Sequence, residues 1–239
     1  MGQNPYDHST IDNSLIKNNV NTYLEQFAAF INIPTVALQP YKNEFIVRQY
    51  NKGQVIYYSS DELTHIYYLI DGYILRENYS VNGDVNRVLN KGEHLYPIHN
   101  LFQDKTTNEM CTALTDSIVM AVPIELIEYI CRNHDKVFIQ MYKYLCENEK
   151  QLTEYNMALS AKSAKARVKK VLIYLCHTIG EDHEEFYEIK QFLTIQMVSD
   201  LASVSRETTG HIVNELKTQN LLLKDQKNWM ISKAILGIV

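Results

Sequence analysis

The segment TIQMVSDLASVSRETTGHIVNEL, residues 194–216, reads as two short amphipathic helices with a tight polar turn between them. Thr209, Ile212, Val213 and Leu216 fall at i, i+3, i+4 and i+7, so they form one apolar stripe that must pack on the rest of the chain. Glu207, Gly210, His211 and Asn214 then face the opposite way, with Arg206 at the shoulder. Upstream, Thr194 can cap a helix holding Met197, Val198, Leu201 and Ala202. Ser203 and Val204 make the turn, and Ser205 can cap the second helix. Two helices joined this closely make a helix-turn-helix, whose second helix offers its N-terminal residues to base edges in a major groove.

Arg206 at the helix start can give guanine O6 and N7 a bidentate pair of donors, and Glu207 beside it can accept from cytosine N4. In isolation such a pair is more often a solvated cation next to a carboxylate that complements the helix dipole. The flanking elements reverse that weighting. A short strand at 186–190 precedes the two helices, and residues 221–224 and 229–232 close a hairpin around 225–228, so the module is winged. Lys224 and Lys227 can touch phosphate from the wing, while Trp229 reads as core.

Further upstream, Ser163 can cap a helix over 164–177 with Val168, Val171, Leu172 and Leu175 inward, followed by an acidic loop at 181–185. A longer helix is expected over about 135–161. On it Phe138, Met141, Leu145, Asn148, Leu152, Tyr155 and Leu159 alternate at spacings of three and four, which is a heptad seam. The spacing fits either a helix lying on its own β-domain or one pairing with a second copy. Asn148 favours the second, because a single polar residue on an apolar seam commonly fixes register between chains. A dimer also supplies two reading helices for a palindromic site.

From about 45 to 122 the texture changes. Runs rich in Val, Ile and Tyr at 44–50, 55–58, 66–70, 73–79 and 85–89 alternate with turns at Lys52-Gly53, Asp71-Gly72 and Asn82-Gly83. Many short strands with regular turn signals indicate a small jelly roll, and Asn82-Gly83 predicts a two-residue hairpin turn. An N-terminal helix over 12–33, carrying Leu15, Val20, Leu24, Phe27, Ala28 and Ile31, ends before Pro34. The expected fold is α+β: N-terminal helix and β-roll over 1–134, a dimerisation helix over 135–161, and a winged helix-turn-helix over 162–239.

The chain has 239 residues and 46% hydrophobic content, enough for two compact domains that each bury a core. Its net charge is −5, but residues from Ser160 onward hold eleven Lys and Arg against nine Asp and Glu, leaving twelve against nineteen before it. A weakly basic reading head on an acidic body suits a protein that leaves non-cognate phosphate backbones easily. The opening MGQNPYDHSTIDNS lacks a signal-peptide pattern, no apolar run approaches a membrane span, and Tyr6 stands where the myristoylation pattern needs Ser or Thr. A cytoplasmic protein without a membrane partner is expected. Cys111, Cys131, Cys146 and Cys176 are far apart with no metal-binding spacing, which predicts buried reduced thiols.

With these parts placed, the chain resembles the Crp/Fnr family of bacterial transcription regulators over nearly its whole length. Ser205-Arg206-Glu207-Thr208, Gly210 and Gln219-Asn220-Leu221 stand as in the family, and Lys52-Gly53, Asp71-Gly72 and Lys91-Gly92-Glu93 occupy turns typical of its β-roll. The run EFYEIKQFLTIQ, residues 185–196, is similar to the subgroup in low-GC Gram-positive bacteria that controls the arginine deiminase operon. The resemblance implies a β-roll of the cyclic-nucleotide-binding type. It also implies that Arg206 and Glu207 read a TGTGA-type half-site repeated as a palindrome, with Thr208 near a phosphate. Thr194, Ser205, Gly210 and Asn214 complete the expected DNA-facing set. At His211 many relatives place an arginine, and a neutral imidazole offers one donor where guanidinium offers a charged fork, so weaker discrimination is expected at one base.

The effector segment departs from the cyclic-nucleotide members, which carry a glutamate for the ribose and an adjacent arginine and serine for the phosphate. Pro97 stands near the glutamate position and removes an N–H donor, and Asn108-Glu109-Met110 stands near the Arg-Ser position. No tight binding of cAMP or cGMP is expected, and no cofactor is predicted. No cysteine precedes Cys111, which argues against an iron-sulfur cluster. His94 and His99 leave a haem or metal role open, and a redox role for the cysteines stays open without evidence of exposure. The expectation is a homodimeric DNA-binding regulator, not an enzyme, that activates arginine catabolism under oxygen limitation and contacts RNA polymerase. The alternative is a small-molecule or redox-sensing protein of the same fold with a different regulon.

Overall fold

The computed structural model describes residues 13–59, 61–103, 108–190, 192–225 and 228–238. Helix α1 (Asn13–Phe30) buries Leu24, Phe27 and Ala28 on the β-roll, with Ile31 just past its end. It stops short of the expected residue 33 because Asn32 turns left-handed at φ 61° and the Ile33 N–H closes onto the Ala28 carbonyl at 2.9 Å. A four-residue helix α2 (Thr35–Leu38) and a 3-10 segment, Gln39–Glu44, lead into the roll. That 3-10 segment takes Glu44 from the strand expected at 44–50.

Among the described residues the roll has eight strands: β1 (Ile46–Tyr50), β2 (Val55–Tyr57), β3 (His65–Asp71), β4 (Tyr73–Tyr79), β5 (Val85–Lys91), β6 (His94–Tyr96), β7 (Glu109–Ala113) and β8 (Ser117–Pro123). They form two antiparallel sheets ordered β1-β8-β3-β6 and β2-β7-β4-β5. The β4–β5 turn differs from the expected two-residue form. Tyr79 pairs with Val85, Ser80 N–H bonds the Asp84 carbonyl at 2.8 Å, and Gly83 N–H bonds the Ser80 carbonyl at 3.0 Å with Gly83 at φ 86°. This is a three-residue loop in which a type I turn ends on a left-handed glycine. Inside the roll, Tyr57 and Tyr67 stack at 5.2 Å and Tyr67 and Tyr96 at 5.9 Å, filling the space between the sheets.

Helix α3 (Ile124–Asn133) leads to α4 (Asp135–Leu159), which spans from the roll to the C-terminal module. That module contains α5 (Ala164–Ile179), β9 (Glu181–Asp182), β10 (Phe186–Ile189), α6 (Ile195–Ala202), α7 (Arg206–Thr218), β11 (Leu222–Asp225), β12 (Asn228–Ser232) and a final 3-10 segment, Lys233–Ile238. The loop expected at 181–185 begins as strand β9, paired with β10 in a sheet ordered β11-β12-β10-β9. Trp229 is buried, as expected, and donates from Nε1 to the Leu193 carbonyl at 2.8 Å.

The roll and the module are not separately cored. Leu89 of β5 and Tyr155 and Ala158 of α4 belong to the same buried cluster as Leu172, Leu201, Val213 and Trp229. Tyr73 of β4 packs its ring on Phe192 with centroids 4.5 Å apart, and Lys91 donates to the Gly180 carbonyl at 2.7 Å. Burying one leucine fully stabilises by roughly 1.5–3 kcal/mol, so Leu89 alone ties β5 firmly to the winged module.

Candidate nucleic-acid interface and cavity

Each of the three caps read from sequence is formed. Ala166 N–H donates to Ser163 Oγ at 3.1 Å, Met197 N–H to Thr194 Oγ1 at 3.1 Å, and Thr208 N–H to Ser205 Oγ at 3.2 Å. Each cap replaces a missing backbone acceptor, which fixes where the helix starts and so where its first side chains point. Ser203, at φ 49° and ψ 48°, supplies the left-handed turn between α6 and α7. Thr209, Ile212, Val213 and Leu216 are all buried, the stripe the spacing required.

The opposite face of α7 is open. Ser205, Arg206, Glu207, Thr208, His211 and Asn214 are exposed, with the Glu207 and His211 side chains 88% and 79% accessible. Glu207 and His211 lie one turn apart with Oε1 and Nε2 at 4.0 Å, too long for a hydrogen bond. Glu215 on the last turns holds α7 to α5 through Lys165 and bonds Gln219 at 3.0 Å. Gly210 sits mid-helix among these residues, and apart from its chain neighbours and the adjoining helix backbone no described atom lies within 4 Å of the place its Cβ would occupy. Lys224 lies on β11 in register with Trp229, and Lys227 lies outside the described residues.

The heptad seam is divided by the structure. Phe138, Leu145 and Leu152 are 52%, 46% and 42% exposed, and Ile139 and Tyr142 beside them are also exposed. Met141 is buried in the N-terminal core, Tyr155 donates to the Leu201 carbonyl at 2.8 Å, and Leu159 packs on the winged core. Those three are engaged within their own chain, which corrects their placement on a dimer seam. A 3-4 spacing marks an apolar face but does not say which neighbour covers it.

Asn148 lies on the same wall as Leu145 and Leu152. It lines a cavity of about 250 Å³ between α4 and the roll. The cavity walls include Arg76, Val88 and Asn90 of the roll, His94 and His99, Leu145 and Leu152 of α4, and Tyr174 of α5. Burial, with Arg76 adding to it, holds His94 well below its ordinary pKa; His99 is lowered mainly by burial. Tyr144 bridges His94 Nδ1 at 2.7 Å and the Leu95 amide at 2.9 Å, tying α4 to β6.

Glu109, which stands near the Arg-Ser position of the cyclic-nucleotide members, is not among the residues lining the cavity. It is 2% exposed and held by Arg76 at 3.2 Å, Asn78 at 3.1 Å and the Tyr57 hydroxyl. Pro97 precedes a 3-10 turn, Ile98–Asn100, whose first two residues reach the cavity wall. Sequence reading missed Arg76, because its partners arrive only through sheet register: Asn78 lies opposite Glu109 and Arg76 opposite Cys111.

The four cysteines are free thiols, with Cys111, Cys131 and Cys176 buried and Cys146 half-buried. Burial pushes Cys131 up to about 11 and Cys176 up to about 12, and raises Cys111 further, so these three are protonated and unreactive near neutrality. Among the described residues one His/Glu group has ligand spacing, which the sequence did not reveal. Glu181, His183 and Glu188 bring ligand atoms within 4.8 Å of one another on the β9–β10 hairpin. Lys190 holds Glu181 at 2.9 Å, and Asn228 bonds Glu188. No described helix is long and apolar enough to cross a membrane.

A β-roll, a long helix and a capped winged helix-turn-helix in one chain define a transcription regulator with a cavity between its roll and its long helix. Residues 47–134 match the cyclic nucleotide-binding domain family. Two relatives are HTH-type transcriptional regulators ArcR. That of Staphylococcus epidermidis is 55% identical over 92% of this chain and 96% of its own, and that of Staphylococcus aureus is 51% identical over 93% and 95%. A solved cyclic nucleotide-binding domain containing protein from Listeria monocytogenes superposes with a TM-score of 0.69 at 14% identity, covering 91% of this chain and 98% of the other. FixK2 from Bradyrhizobium japonicum gives 0.66 at 14% identity, covering 78% and 92%. The chain belongs to the ArcR regulators of the Crp/Fnr family.

Proposed function

We propose that the chain binds double-stranded DNA as a homodimer at a TGTGA-type palindrome and activates arginine deiminase genes. Gly210 is the observation that carries the DNA reading. A mid-helix glycine costs about 1 kcal/mol relative to alanine, and nothing described in the protein fills the space an alanine methyl would take. A reason outside the chain is the close approach of a nucleic-acid backbone to this face of α7. Arg206 and Glu207, exposed on the first turn, are then placed to read guanine and cytosine. Phe138, Leu145 and Leu152 support dimerisation, since a second α4 laid on them covers the apolar face and the outer wall of the cavity.

The arginine pathway follows from the likeness to the ArcR subgroup, and polymerase contact from activation by a β-roll regulator. The protein acts in the cytoplasm without cyclic nucleotide or iron-sulfur cluster. The cavity favours a second role, sensing of a small molecule, within the same regulator. A gel shift on the palindrome with Arg206→Ala and Glu207→Ala tests the DNA reading: each substitution weakens binding roughly 10-fold or more. Unchanged binding by both variants overturns it. Sedimentation of the wild type tests the dimer.

A further inference from the structure

We propose that Glu109 is a tethered anion filling a built anion site in the β-roll, so that winged-module control in this chain needs no anionic effector. The coupling half of this inference rests on the DNA-binding reading above; the site half does not.

Among the described residues, three side chains donate to the site. Arg76 Nη1 and Asn78 Nδ2 reach one Glu109 oxygen at 3.2 and 3.1 Å, and the Tyr57 hydroxyl donates to the other. Arg76 is itself oriented by Asn90, which accepts from its Nε at 2.9 Å. An arginine with only 15% of its side chain exposed requires a partner, and Glu109, 2% exposed, is that partner. Burial works against the charge on Arg76, and the Glu109 carboxylate is the largest of the neighbouring groups that together favour the charged form.

Among the described lining residues Arg76 is the permanent cation of the cavity, since burial holds His94 and His99 toward the neutral form. An anion entering the cavity therefore meets a guanidinium already neutralised from behind. It also meets Glu149 on the opposite wall. The donor set of an anion receptor is present, and its occupant is a side chain of β7.

The connection to the DNA-binding face runs through β5. Side chains alternate along a strand, so Val88 and Asn90 line the cavity while Leu89 enters the winged core and Lys91 caps the end of α5 at the Gly180 carbonyl. The ion pair holds Asn90 through Arg76, and Asn90 lies between the two β5 residues that hold the winged module. Emptying the Glu109 position frees Arg76 to turn from Asn90, and β5 loses the contact that sets its seat.

The test uses the full chain with Glu109→Ala and the shape-preserving Glu109→Gln, in sodium chloride and in sodium acetate of equal ionic strength. Thermal unfolding reads the site, and fluorescence anisotropy on a TGTGA palindrome reads the coupling. In chloride the alanine variant is expected to melt roughly 10 °C below wild type and to bind the palindrome roughly 10-fold more weakly. Acetate restores about half of each loss in a saturable way, while wild type responds to neither acetate nor inorganic phosphate. Equal effects of acetate on wild type and variant overturn the site, and wild-type DNA affinity of the alanine variant in chloride overturns the coupling. If the alanine variant does not fold in either salt, the glutamine variant decides: phosphate-dependent stabilisation supports the site, and behaviour identical to wild type overturns it. A wild type that ignores the palindrome, with acetate rescue intact in the melting arm, sinks the DNA reading and leaves the anion site standing.

Discussion

Gly210→Ala separates fold from function because the two predicted effects have opposite signs. In the protein alone the substitution removes the entropic cost of glycine in the second turn of α7, worth about 0.8–1 kcal/mol. Beyond the ordinary contacts of any helical residue with its own helix backbone, the new methyl meets no described atom within 4 Å, so no clash offsets the gain. For a chain of this size the melting temperature should rise by roughly 2–4 °C. On DNA the same methyl stands between the helix and the backbone it approaches. Lifting the helix by about the length of one carbon–carbon bond carries Arg206 and Glu207 beyond hydrogen-bond range of their bases, since such bonds are lost past roughly 3.5 Å. Losing one bidentate contact costs about 1–3 kcal/mol, so affinity should fall roughly 10- to 100-fold. Calorimetric melting and anisotropy at one fixed salt concentration measure the two sides. Affinity within about twofold of wild type refutes the close-approach argument, and a lower melting temperature refutes the open space around Gly210.

Among the described residues the buried Thr209 hydroxyl has no hydrogen-bond partner, so Thr209→Val should stabilise by about 1 kcal/mol; a loss of stability in urea titration would show that the hydroxyl is satisfied. Leu145→Glu with Leu152→Glu places two charges on the exposed face of α4 and should yield a monomer by sedimentation, with a lower melting temperature because the partner's contribution to stability is lost; a persistent dimer removes that face from the interface. Because burial lowers the His94 pKa from 6.5, the unfolded chain takes up a proton there before the folded one. Stability should therefore fall below about pH 6.5 by up to roughly 1.4 kcal/mol per pH unit until the depressed folded value is reached. His94→Gln should flatten that slope in urea titrations, and an unchanged slope assigns it to other groups. His211→Arg should increase discrimination at one position of the half-site; a binding series over all single substitutions that matches wild type contradicts this.

What the sequence made legible was local. Ser163, Thr194 and Ser205 are read correctly as caps because a cap needs only its own helix's N–H groups three residues on. The stripe on α7 is correct because a buried face of a short helix leaves one periodic solution. The β4–β5 turn is half right: Gly83 is required at positive φ, but one added loop residue changes the turn type without changing its composition.

The misreadings share one cause, which is that the deciding partner is distant in sequence. On α4, Met141 and Leu145 satisfy the same seam rule, yet one is buried by the N-terminal core and the other is left open. Helical periodicity cannot distinguish a neighbour in the same chain from one in a second copy. Glu109 illustrates the same limit for charge. Read alone, it repels a phosphate; placed in register opposite Asn78 and beside Arg76, it neutralises the cation that a phosphate would need. Both accounts lead to weak nucleotide binding, but they differ for the variant that lacks the carboxylate. Simple repulsion makes Glu109→Ala a receptor with no other change, whereas a structural counter-ion makes it unstable until an anion returns. The latter follows from the burial of the pair, since an uncompensated buried guanidinium is costly whether or not a ligand is present.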